Sequence, residues 1–149
     1  MDQYNTEEKA LKLFKEQGLN AKENCIVALY KDLRKYSGFV AGMEYPYFGL
    51  LLNFTEEGVG LFYLVNPKIL FKVNFEQAEL KKDTYKFYKY EDIKSIEVKK
   101  FALLDKKRKS LIIKTNDKKK HFLYQYIDEE TIPYNRENFA KLIEKYSNK

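Results

Sequence analysis

The chain carries one thiol and one imidazole, Cys25 and His121, from which nucleophilic catalysis would have to be built. Their settings argue against it. Cys25 opens the apolar run Cys-Ile-Val-Ala-Leu-Tyr, where a free cysteine behaves as a small buried hydrophobe. His121 precedes Phe122, Tyr124 and Tyr126, whose period of two places the imidazole on the opposite, solvent-facing side of a strand. One His and one Cys also fall short of a zinc ligand set. A carboxylate site for Ca²⁺ or Mg²⁺ would have to use Asp128-Glu129-Glu130, which lacks a loop glycine and alternating spacing and reads as a solvated turn. Glu56-Glu57 and Glu91-Asp92 are adjacent pairs. Neighbours in an extended chain point to opposite faces, so these are turn residues rather than acid/base pairs. There is no glycine-rich phosphate loop, Gly-x-Ser-x-Gly elbow or dinucleotide fingerprint. The residues imply no enzyme, no metal and no cofactor.

Charge is the remaining signal. The formal net charge is +6, and the excess is local. Ten lysines and arginines lie between Lys99 and Lys120 against Asp105 and Asp117 alone, which leaves the rest of the chain slightly acidic. Two basic turns are expected, Lys106 to Lys109 and Lys118 to Lys120, at opposite ends of a meander and about 17 Å or more apart. Lys118, Lys119 and Lys120, together with Arg34 and Lys35, form a candidate surface for an anionic ligand or membrane. The competing reading is that lysines in turns only keep strand edges soluble. A second candidate is the connection from Arg34 to Tyr47, where Tyr36, Phe39, Tyr45 and Tyr47 sit among Gly38, Gly42 and Pro46. A tyrosine-rich loop suits a protein interface; equally, its rings could fold back over the edge of a sheet. Nucleic acid would call for a continuous basic groove with stacking aromatics and is disfavoured.

These residues need a scaffold. A chain of 149 residues predicts a single domain, 1–149, able to bury a core without staples. Its 13 Tyr and 11 Phe, with no Trp, favour strands. The polar start lacks the layout of a secretory signal, and no apolar run approaches the ~18 residues of a membrane span, so a cytoplasmic protein is expected. Asn5 and Glu8 fit a capping box for a helix carrying Ala10, Leu11, Leu13 and Phe14, stopped by Gly18; residues 1–20 would be a helical extension. Phe48, Leu50, Leu52 and Phe54, then Val59, Leu61, Tyr63 and Val65, alternate around Thr55-Glu-Glu-Gly, a hairpin with Gly58 in the left-handed position. Ile69 to Phe75 alternate again, Gln77 to Thr84 reads as a loop, and Tyr85 to Tyr90 as extended chain. From Tyr90 to Tyr146 come three strands and a helix. Leu111 and Ile113, and Phe122, Tyr124 and Tyr126, mark the expected core faces of two strands. The helix follows Pro133 with Asn135 as its cap and Phe139, Leu142, Ile143 and Tyr146 as one apolar stripe.

The stretches Gly49-Leu-Leu-Leu-Asn-Phe-Thr, Gly60-Leu-Phe-Tyr and Tyr90-Glu-Asp-Ile-Lys-Ser-Ile-Glu-Val, with the final amphipathic helix, resemble the bacterial pleckstrin-homology-like domains. The resemblance covers roughly Cys25 to Tyr146. It implies a mostly β, α+β fold: a bent antiparallel barrel of about seven strands over 25–147, capped by the C-terminal helix, with the N-terminal helix as an addition. Residues 66–84 are longer than the family's usual connection there. Eukaryotic relatives bind phosphoinositides through basic residues of the first hairpin. Lys31, Arg34 and Lys35 lie near that place without forming a recognisable signature. The expected function is a non-enzymatic binding or adaptor domain, in the first place a protein-interaction module. Peripheral binding to an anionic membrane is the alternative, and a small-molecule pocket in the barrel mouth a third reading.

Overall fold

The computed structural model describes residues 2–30, 47–65, 79–102, 105–125 and 130–147. The first helix, α1 (Glu7–Glu16), is capped by Thr6, which keeps an extended backbone and accepts from the Lys9 amide. The cap therefore lies one residue beyond the expected Asn5, whose side-chain oxygen accepts from Lys9 Nζ at 3.1 Å instead. Gly18, at φ +86°, ends the helix as its position predicts.

Eight strands follow: β1 (Cys25–Tyr30), β2 (Tyr47–Phe54), β3 (Gly58–Val65), β4 (Glu79–Leu80), β5 (Lys86–Lys89), β6 (Ile93–Ala102), β7 (Asp105–Thr115) and β8 (Lys120–Gln125). The chain closes with α2 (Asn135–Ser147). Short 3-10 turns occupy Lys82–Thr84 and Tyr90–Asp92. All pairings are antiparallel, in the order β4-β3-β2-β1-β8-β7-β6, with β5 also on β3. Among the described residues no pairing joins the two ends of this path. The fold is α+β, and among the described residues the antiparallel sheet does not close on itself into the bent barrel expected. No helix among the described residues is long and apolar enough to cross a membrane.

Strands β1 to β3 are buried on both faces, so they read as near-continuous apolar runs. One face (Val27, Leu51, Phe62 and Leu64) lies under α1, with the Phe14 ring tilted against Phe62 at 5.0 Å. The other face (Ile26, Leu50, Leu52 and Leu61) meets Leu111 and Ile113 of β7, Leu123 of β8, and Phe139, Leu142 and Tyr146 of α2. The helical stripe and the inward pair on β7 are as expected. Ile143 is partly buried against the same cluster.

Four local expectations are corrected. Gly58 is not left-handed. It is needed because a Cβ there would lie 2.1 Å from the carbonyl oxygen of Tyr88 on the neighbouring β5. The β2–β3 turn is held instead by Thr55, whose hydroxyl donates to the Gly58 carbonyl at 2.9 Å. Strand β8 is shifted by one residue from the expected face: Leu123 pairs with Leu111 and His121 with Ile113, so His121 points inward and is 3% exposed. Lys106 to Lys109 are not a turn but part of β7, which pairs with β6 as far as Ala102 opposite Asp105. The segment from Gln77 to Thr84 includes a short strand and a 3-10 turn.

Asn135 does not cap its own helix through its side chain. Its Oδ1 accepts from the Val27 amide and its Nδ2 donates to the Val27 carbonyl, both at 2.9 Å. Asn138, one turn on, donates to the Cys25 carbonyl at 2.9 Å and to the Glu7 carboxylate, which also accepts from the Cys25 amide. Among the described residues β8 pairs with β1 from Ala28 to Tyr30. At Cys25 and Val27 two asparagines and a glutamate take the backbone's hydrogen bonds, because a buried backbone edge must find partners.

Candidate functional site

The thiol and the imidazole are kept apart by the fold. Cys25 is fully buried on the α1 side of the sheet, where desolvation pushes its pKa up to about 12 and the Asn53 amide donates to its sulfur. His121 is buried on the other side, opposite Ile113 and 6.1 Å from the Tyr88 ring. Desolvation, and then Lys119 and Lys86, hold its pKa down to about 4, so it is neutral at physiological pH. A low-nucleophilicity thiol and a remote imidazole cannot act together.

The lysines do converge. The β7–β8 connection begins at Thr115, whose hydroxyl bonds the Asp117 carboxylate; Asp117 in turn accepts from the Lys119 amide at 3.3 Å. The Thr115 hydroxyl is the first cause that holds the Asp117 pKa below the usual carboxylate range. The Thr115 amide donates to the Lys119 carbonyl at 3.0 Å and closes the turn. A turn of this kind ends in a left-handed residue. Here it is Lys118, at φ +69°, the non-glycine residue with positive φ among those described. The turn is anchored from below by Asn116, whose amide donates to the Asp92 carbonyl and whose side chain donates to the Glu91 carbonyl, each at 2.9 Å.

That anchoring brings Lys94 of β6 and Lys114 of β7 beside Lys118, Lys119 and Lys120. With Thr115 and Asn116 they line a hollow of about 470 Å³ that has no carboxylate in its wall. Lys114 is paired with Glu97 at 3.1 Å. Among the described residues no ion pair engages Lys94, Lys118 or Lys120. On the side towards β5, Lys119 stands against Lys86, which also lies over the Tyr63 ring at 5.5 Å. Two ammonium groups in contact oppose each other, and Lys86 is held below the ordinary lysine range chiefly by Lys119.

Lys94 also lines a second, larger concavity of about 850 Å³ between α2, the start of β6 and the β2–β3 turn. Phe54, Leu142 and Tyr146, almost fully buried, form its floor. The Tyr146 hydroxyl is hydrogen-bonded to Tyr90, whose own hydroxyl donates to the Thr55 carbonyl at 2.6 Å. Burial first, and then Tyr90, push the Tyr146 pKa up to about 12. Lys22, Lys94, Lys141 and Lys145 stand around the floor, with Glu56 the single carboxylate of the lining.

Of the sequence candidates, Lys118, Lys119 and Lys120 are brought together, with Lys94 and Lys114 as neighbours that sequence reasoning missed. Arg34, Lys35, Tyr36, Phe39 and Tyr45 lie outside the described residues. Tyr47 begins β2, opposite Val65. Lys107, Arg108 and Lys109 are exposed along β7, away from the hollow. Lys94 was findable in principle: it directly follows Tyr90-Glu-Asp-Ile, which the strand pattern places at the head of β6. No family model, no curated protein and no solved structure matches the chain.

Proposed function

We propose that the chain is a non-enzymatic binding module of the pleckstrin-homology-like type that engages an acidic protein partner through the lysine-lined hollow of Lys94, Lys114, Lys118, Lys119 and Lys120. The family assignment is supported by the run of antiparallel strands and by the last helix packing on the face that both halves of the sheet share. The binding reading is carried by Lys118. A left-handed backbone disfavours any side chain by about 1 kcal/mol, and glycine would fill the position at no such cost. A lysine held there, at the lip of a hollow with no carboxylate in its wall, fits a role in contacting an anion. Such contacts weaken as salt screens them.

The test compares the two basic runs. Lys118→Glu/Lys119→Glu/Lys120→Glu should abolish retention on immobilised poly-glutamate at low salt. Lys107→Glu/Arg108→Glu/Lys109→Glu should reduce it by no more than about twofold. Equal losses would reduce the interaction to net charge and overturn the reading.

A second reading, an anionic lipid surface, is favoured by the hollow's size and by Thr115 and Asn116 in its wall, polar groups suited to a phosphate. Co-sedimentation with phosphatidylserine vesicles at low and high salt decides it: no pelleting at low salt removes the membrane and leaves the protein partner.

A further inference from the structure

Strand β6 ends the pairing path, and among the described residues nothing pairs with its outer edge. An open edge presents unpaired amides and carbonyls and is a template for another strand. At its start the edge borders the larger concavity, whose wall includes four consecutive residues, Ile93, Lys94, Ser95 and Ile96. Successive strand residues point to opposite faces, so a cavity that touches all four is reached along the strand's edge and not over one face. Opposite stands α2, with Lys141 and Lys145 on the rim and Leu142 and Tyr146 on the floor.

We propose that this groove binds an extended acidic peptide segment of a protein partner, added as a strand to β6 at Ile93 to Ile96. The inference rests on the reading of the chain as a protein-binding module, and it names a second surface joined to the lysine hollow through Lys94. Charge complementarity selects the occupant. The rim carries Lys22, Lys94, Lys145 and Lys141, the last paired with Glu137 at 3.0 Å, against Glu56, and it faces an apolar floor, so alternating acidic and apolar side chains satisfy both. Backbone hydrogen bonds to β6 supply affinity that does not depend on side-chain identity, and the floor and rim choose the sequence. Four residues of β6 extend about 13 Å, room for a segment of that length.

The probe is an acetylated octapeptide of alternating glutamate and leucine, followed by fluorescence anisotropy on the full chain. Strand addition predicts slowed amide exchange at residues 93–96 on binding. It also predicts loss of binding when alternate peptide amides are N-methylated, which removes backbone donors and leaves charge and side chains unchanged. Lys141→Gln/Lys145→Gln should weaken the peptide about fivefold to tenfold, with Lys118→Gln/Lys119→Gln changing it less than about twofold. Undiminished binding of the N-methylated peptide, or unchanged exchange at 93–96, overturns the strand-addition site. If binding then tracks the Lys118 variant, the hollow stands as the protein-binding site. No binding of the peptide overturns the groove, and joined to no retention on poly-glutamate it overturns the module reading as well. The exchange measurement uses the unaltered protein, so a poorly folding variant cannot mask the result.

Discussion

The two helices cover opposite faces of the same three strands and do so by different means. Helix α1 docks chiefly by apolar interlock: the Phe14 ring packs tilted against Phe62, Tyr85 adds a third ring 5.2 Å from Phe62, and Gly60 keeps the floor open. A Cβ at Gly60 would come within 2.7 Å of Leu19 and 3.2 Å of Phe14. Helix α2 adds to its apolar stripe of Phe139, Leu142 and Tyr146 a polar grip at both ends: Asn135 and Asn138 of its first turn on the β1 backbone, and Tyr146 of its last turn on Tyr90. Apolar interlock seals a face. Polar docking at two ends fixes a helix while leaving a concavity along its flank, and the lysine-rimmed groove is that flank. The difference separates a face built for stability from one with room for a ligand.

The sharpest way to break this comparison is to truncate each anchor. Phe14→Ala should cost about 3–5 kcal/mol in denaturant unfolding, because the fully buried ring leaves a cavity that β3 cannot fill. Asn135→Leu should cost about 2–4 kcal/mol, since it orphans both the amide and the carbonyl of Val27 in a buried site. If Asn135→Leu were neutral, α2 would be held by its apolar stripe alone and the contrast with α1 would vanish.

Acid should act with opposite sign on the two sides. His121, on the α2 side, has its folded pKa lowered to about 4 from 6.5. The unfolded chain binds the proton first, so this contribution is fully present above pH 6.5 and is lost as pH falls towards 4, by up to about 3 kcal/mol. Glu7, on the α1 side, has its pKa raised by desolvation against the Asn138 and Cys25 contacts. Its folded form takes the proton first, so its contribution grows as pH falls. His121→Phe should therefore flatten the stability profile between pH 6.5 and 4, and Glu7→Gln should steepen it. An unchanged profile in both variants would show that neither group governs the acid limb.

The smallest effect concerns the binding side. Lys118→Gly should raise stability by about 1 kcal/mol by removing the left-handed penalty, while weakening retention on poly-glutamate. A gain in stability with unchanged retention would leave Lys118 without a binding role. Cys25 offers a control on the closed face: its buried thiol should resist a water-soluble disulfide reagent in the folded chain and react at once in denaturant.

Much of the scaffold was legible because it depends on local period. Glycine after the first helix, alternation through Leu50 and Leu52, and the spacing of Phe139, Leu142 and Tyr146 each follow from one element's own geometry. The face of β8 was not. Phe122, Tyr124 and Tyr126 are the bulkier alternating set, yet the register with β7 turns Leu123 and His121 inward. Register is fixed by the partner strand and the turn, which no period within β8 reports. The hollow was half legible: the run Lys118 to Lys120 was visible, with Lys114 just before it at the end of β7, but Lys94 enters from β6, far away in sequence.

By itself the sequence determined both helices and most of the strands, that the chain holds one thiol and one imidazole, and that positive charge gathers between Lys99 and Lys120. Only the tertiary structure decided which of those charges meet. Lys106 to Lys109 are spread along β7 and Lys118 to Lys120 turn towards Lys94, because convergence depends on strand pairing and on Asn116 gripping the Glu91 and Asp92 carbonyls. It likewise decided that Asn135 serves a strand far from its own helix, since a buried backbone edge takes its hydrogen bonds from whatever side chain the fold places beside it.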